Sequence, residues 1–187
     1  MSTTHPDLGS FELPAATWSV DPGHAEVAFV GRHFGLTRVR GRFTGVDGAV
    51  HVDDVVERSS IEVTIDMASV ESGSTARDEH LRSSDLFDVA AFPTASFRST
   101  GIIVTSPAGG HVDGDLTIKG VTRPVRLDVE HLGQVTDPWG GHRAVFSAST
   151  VIDRADFGVS WNMPLDAGRL LVSKEIRIEI DVELVRD

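Results

Sequence analysis

Residues 60–67 set the pattern that most of this chain repeats. Ile61, Val63, Ile65 and Met67 take one parity, and Glu62, Thr64 and Asp66 take the other. A period of two marks a half-buried strand, because successive side chains leave opposite faces of a sheet. The last segment holds it longest: Ile176, Ile178, Ile180, Val182 and Leu184 alternate with Arg177, Glu179, Asp181 and Glu183. Arg38, Arg40 and Arg42 alternate in the same way with Val39, Gly41 and Phe43. Residues 18–20, 24–33, 49–56, 94–100, 101–105, 111–119, 121–132 and 142–153 read as further strands. In 24–33 the apolar residues hold both parities, as in a strand covered on both faces, with Gly31 as a candidate bulge. Asp21-Pro22-Gly23 reads as a stop, Val46-Asp47-Gly48 as a hairpin connection, and residues 107–110 and 137–141 as turns.

One stretch departs from this. Residues 74–98 carry Arg77, Asp78, Glu79 and His80 in a row, then small and apolar residues up to Pro93. A short helix is expected over about 75–83 with Ser74 as its N-cap, ended before Pro93 because a residue preceding proline avoids the α region. The whole is therefore all-β: one domain over 17–187, a polar leader over 1–16, and a helical insertion that covers a sheet structure. About eight antiparallel strands with one apolar face close into a barrel or pack as a sandwich.

If the strands close, the apolar parity points inward. Phe29, Phe43, Ile61, Val63, Ile65, Phe97, Leu116, Ile118, Leu127, Phe146, Ile178 and Ile180 are the inward candidates from the strands. Leu81, Leu86, Phe87 and Phe92 are the apolar residues through which the insertion packs, and Phe157 joins the same set from the far end of the chain. A lumen of this kind holds a long hydrophobic molecule by buried area. The alternative is that the same side chains simply fill a core.

The formal net charge of −11 argues against a nucleic-acid backbone or an anionic membrane as main partner. With no cysteine there is no disulfide, thiolate nucleophile or thiolate-held metal. No apolar run approaches the ~18 residues of a membrane span. The first residues lack a basic and an apolar signal region, so a cytoplasmic location is expected.

Several blocks carry a resemblance. Trp18-Ser19-Val20-Asp21-Pro22-Gly23-His24, Gly41-Arg42-Phe43, Arg77-Asp78-Glu79-His80-Leu81-Arg82 with Leu86-Phe87-Asp88, and Phe92-Pro93 with Phe97 are followed by two more. These are residues 114–122, GDLTIKGVT, and residues 154–158, RADFG. Together they resemble the YceI-like family, in order, from about residue 17 to 185. That resemblance implies a lipocalin-like extended barrel whose lumen binds a polyisoprenoid, such as a quinone tail or polyprenyl phosphate, or a related long-chain lipid. It implies storage, transport or sequestration without catalysis and without a cofactor. Relatives are often periplasmic, and often carry His-Ser where this chain has His24-Ala25.

Two other chemistries have some of their residue types in this chain. His24, His33 and His80 make a three-histidine metal site conceivable, but only if Gly31 bulges so that the first two face one way. Asp78 and His80 with Ser72, Ser74 or Ser83 contain the residue types of a hydrolase, without a nucleophile elbow. A hydrolase or metal enzyme built on His24 and His80 at the rim, and a filled structural domain, are thus the two rivals. Arg77 and Asp78 are expected to tie the insertion to the barrel rim. His24, His33, Arg77, His80 and Trp161 are the candidates for the rim or for contact with a polar head group. Gly109-Gly110 and Gly140-Gly141 lack the strand-to-helix context of a phosphate loop. A homodimer is compatible with the sequence, and nothing in it requires one.

Overall fold

The computed structural model describes residues 13–187; residues 1–12 of the expected leader lie outside them. The strands are β1 (Ala16–His33), β2 (Thr37–Phe43), β3 (Val46–Val52), β4 (Ser60–Asp66) and the short β5 (Val70–Glu71). After helix α1 (Thr75–Arg82) come β6 (Thr94–Ser106), β7 (Gly109–Ile118), β8 (Val121–Thr136), β9 (His142–Asp153) and β10 (Glu175–Arg186). All pairings between them are antiparallel. The sheet runs β10-β9-β8-β7-β6-β4-β3-β1, and β10 also pairs with β1, so eight strands close a barrel.

β1 is longer than the sequence pattern suggests, because Asp21-Pro22-Gly23 does not stop it. The register slips between Val20 and Ala25, so this segment is a bulge within one continuous strand. Gly31 is not a bulge: it pairs in register with Val39. Nor is residues 46–48 a hairpin. β2 and β3 lie end to end on the same edge of β1, facing His33–Val27 and Ser19–Ala16 respectively, with a kink at Thr44-Gly45. Gly48 sits where β3 presses on β4, since a Cβ there would lie 2.3 Å from the Glu62 carbonyl oxygen. The two strands expected over 94–105 are one, β6, with a register slip between Ser99 and Gly101.

Because β4 ends at Asp66, the wall between β2 and β6 has a gap at one end of the barrel. β5 pairs with Arg42 and Phe43, and α1 with residues 83–93 fills the rest. Ser74 caps the helix as expected, its hydroxyl accepting from the Arg77 N–H. Arg82 fastens the helix to the barrel, its Nε and Nη2 donating to the carbonyls of Ala68 and Val70 at 2.9 and 2.7 Å. Arg77 and Asp78, the pair the sequence suggests for that task, both bind Ser72 instead.

On the outer face of β1, Ala28 is buried although it points away from the lumen. Long ion-paired side chains lie over this face: Glu26 takes Arg40 at 2.8 Å and Arg42 at 3.0 Å, and Arg40 also reaches Glu179. This is why both parities of β1 are apolar.

Candidate lipid-binding cavity

The inner parity does not fill the barrel. A cavity of about 580 Å³ runs through it, a size typical of ligand sites. Two glycines shape its walls. A Cβ on Gly41 would lie 2.3 Å from the ring of Phe29, and one on Gly114 would lie 2.3 Å from the ring of Phe97. Both rings therefore lie flat on bare backbone, which keeps them against the wall and out of the lumen. The insertion adds Phe87, whose ring meets Phe43 at 5.6 Å and Phe29 edge-on at 6.3 Å. Such offset and edge contacts suit aromatic quadrupoles.

All of the expected apolar residues line this cavity except Phe92. Phe92 lies on the outside of the insertion, 2.9 Å from where a Cβ of Gly120 would stand. It covers the Lys119-Gly120 turn, whose φ values of 51° and 74° are those of a tight hairpin. Val39, Ile102, Val112, Val125, Val129 and Ile152, which the inward set lacked, also line the space. Alternation could have found all of them but Ile102, which the register slip between Ser99 and Gly101 sets on the other parity from Phe97.

Of the rim candidates, His33, Arg77, His80 and Trp161 line the cavity at the α1 end. His80 bonds Asp85 at 3.1 Å and meets the Trp161 ring edge-on at 4.4 Å. His24 does not join them. It lies in the β1 bulge, exposed, where its Nδ1 pairs with Asp21 at 3.0 Å. The three histidines therefore never converge, and a site shared by His24 and His80 has no geometric basis. The Ser-His-Asp set is not assembled either: the Ser72 hydroxyl donates to Asp78, and the Ser83 hydroxyl donates to the His80 carbonyl.

Among the described residues, Asp21, His24 and Glu183 gather ligand atoms within 4.8 Å of one another. Arg143 already supplies positive charge there, binding Asp21 at 2.5 Å, Asp137 at 3.0 Å and Glu183 at 3.1 Å. Hydrogen bonding to Arg143, and secondly to His24, lowers the Asp21 carboxyl from 3.8 to about 2. A carboxylate with a depressed folded value stabilises the fold fully above its unfolded value, roughly pH 4, and loses that contribution as pH falls through about 2. Asp21→Asn is thus expected to cost about 1–2 kcal/mol at pH 7 and progressively less below pH 4. Urea midpoints of both proteins at pH 7 and pH 3 check this; a constant difference would remove Arg143 as the cause.

Spacing gave no sign of Arg154. It follows β9 in a single 3-10 turn, Arg154–Phe157, that ends on Gly158 at φ 73°. Its side chain is 8% exposed and lines the cavity. Nε donates to the Ser173 carbonyl at 3.0 Å, and Nη1 to the carbonyls of Val159 and Trp161, both at 2.8 Å. Burial pushes this guanidinium below its ordinary value, against the charge of Asp153.

Comparison with known proteins places this geometry. A family model described as YceI-like domain matches residues 18–184. A UPF0312 protein of Azotobacter vinelandii is 37% identical over 182 residues, covering 96% of this chain and 92% of that protein. The crystal structure of Burkholderia cenocepacia BcnA superposes with a TM-score of 0.76 at 25% identity, covering 88% of this chain and 98% of that one. A polyisoprenoid binding domain from Saccharophagus degradans has the same fold, with a TM-score of 0.68 at 16% identity over 92% of this chain and 99% of that one.

Proposed function

This chain belongs to the YceI-like family, and from that premise we propose that it binds a long-chain isoprenoid, or a lipid of similar shape, within the barrel. The observation that carries this reading is the cavity of about 580 Å³ bounded by hydrocarbon side chains. A filled structural domain would have no such space. A polyisoprenoid binding domain among the structural neighbours supports the ligand class. Each buried five-carbon unit contributes roughly 4 kcal/mol by transfer. Three such units, less roughly 4 kcal/mol or more of lost freedom, already reach about micromolar affinity.

Binding is the task, and catalysis is not. Among the described residues, the Ser-His-Asp types of the insertion are tied up in separate hydrogen bonds rather than set around a reacting centre. Storage, transport and sequestration all follow from shielding an apolar tail from water. Native mass spectrometry and organic extraction of the purified protein test the reading directly. A hydrophobic molecule of long chain is expected at up to one per barrel. Protein that neither carries such a molecule nor takes up added farnesol or oleyl alcohol would sink the proposal.

A further inference from the structure

The two ends of the cavity differ in charge. At the α1 end its polar lining includes Arg32, Arg77 and Arg154; at the other, beyond β3, it includes Asp53 and Asp54. Strand register fixes these as opposite ends, since β9 reaches Asp153 beside Glu175 while β3 reaches Val52 beside Ala16. The other acids at the cavity wall, Glu26 and Asp181, face each other mid-barrel on the outward parity of β1 and β10, and Glu26 is held by Arg40 and Arg42.

Arg154 differs from the other two cations. Arg32 and Arg77 are exposed, whereas Arg154 is more than nine-tenths buried. Its three bonds go to neutral carbonyls, and among the described residues no carboxylate forms an ion pair with it. Asp153 acts on it through space, its own carboxylate accepting from the Ala155 N–H. Nη2 has no protein acceptor among the described residues, although the side chain borders the cavity. Carbonyls satisfy donors but leave a buried positive charge without a counter-charge, which is costly.

Resting on the lipid-binding reading, we propose that Arg154 receives an anionic head group, so that the ligand of this barrel is an acidic amphiphile. The head sits beneath the loop of Val159 and Trp161, and the tail runs toward the Asp53 end. Arg154 thereby does two things at once: it fastens the loop over the mouth and sets the polarity in which a chain can enter. The acids at the far end reinforce that polarity by repelling an anionic head.

The test compares matched probes that differ only in the head: oleate against oleyl alcohol, and farnesyl phosphate against farnesol. The two acids separate a carboxylate preference from a phosphate preference. The wild-type protein is expected to bind at least one acid about tenfold or more tighter than its alcohol, as a charge-assisted contact implies. In Arg154→Gln that gap, read as the ratio of acid to alcohol affinity within the one variant, is expected to close to within about threefold, and Arg154→Lys to restore part of it. If Arg154→Gln does not fold, carboxyl-labelled oleate bound to the wild type decides. Its NMR titration should show a carboxyl value below that of the free acid; an unshifted or raised value overturns the proposal. Equal binding of acid and alcohol overturns it while leaving lipid binding intact. A preference that survives Arg154→Gln but disappears in Arg77→Gln also overturns it, and failure of all four probes removes both readings.

Discussion

Phe87→Asp protein is expected to purify nearly empty, with less than about a tenth of the lipid that the wild type retains. Phe87 closes the cavity wall where the strand ladder is incomplete, and its ring is held between Phe29 and Phe43. Replacing it removes an aromatic contact surface and places a carboxylate where its hydration must be given up. Tenfold in affinity needs only about 1.4 kcal/mol, and an unpaired charge against hydrocarbon costs more than that. Glu79→Gln is the matched control. Glu79 is exposed on the same helix, and losing one solvated charge shifts stability by roughly half a kcal/mol at most. Extractable lipid per folded molecule, with folding verified by near-UV circular dichroism, reads the difference. Equal retention by the two variants would show that the insertion does not border the ligand.

Trp18→Ala is expected to cost about 3–5 kcal/mol, the largest loss from any single truncation in the barrel. Trp18 is 1% exposed and lies between Val50 of β3 and Arg186 of β10. Its indole N–H donates to the Pro14 carbonyl at 3.2 Å, so the body is packed and the polar edge satisfied. For a domain of this size the loss corresponds to a fall of roughly 6–20 °C in Tm. Trp139 has the same side chain at 88% exposure, and Trp139→Ala is expected to change stability by roughly half a kcal/mol or less. Calorimetry on the two variants separates them. Similar Tm values would mean that the Trp18 site collapses around the missing ring.

The strands were legible wherever one face is wet and the other dry. β4, β9 and β10 follow from alternation alone, because burial on one side forces a period of two. What misled was local chemistry serving a distant partner. Asp21-Pro22-Gly23 has the composition of a turn, yet its aspartate is held by Arg143, and β10 continues alongside on both sides of the bulge. Asp47-Gly48 also looks like a turn, but the glycine is there to let β3 approach β4. The cavity lining was readable for the same reason as the strands. Phe92 stands outside the lining because an aromatic residue after a helix packs equally well against a hairpin turn, here that of Gly120. Arg154 escaped because an arginine at a strand end reads as solvated. Its burial comes from carbonyls of Val159, Trp161 and Ser173, delivered by a long loop without periodicity.

The seam of the barrel is made by its first and last strands: Trp18 faces Arg186, and Val30 faces Arg177. Contacts so distant along the chain form late, since loop-closure entropy must be overcome before they stabilise anything. Until β10 docks, the lumen is an open apolar trough rather than an enclosed space. A ribosome-bound chain lacking β10 therefore exposes both β1 and β9 as unpaired edges, which favours association with other chains. A lipid present during synthesis would meet that trough before the barrel closes, and the last strand would shut over it.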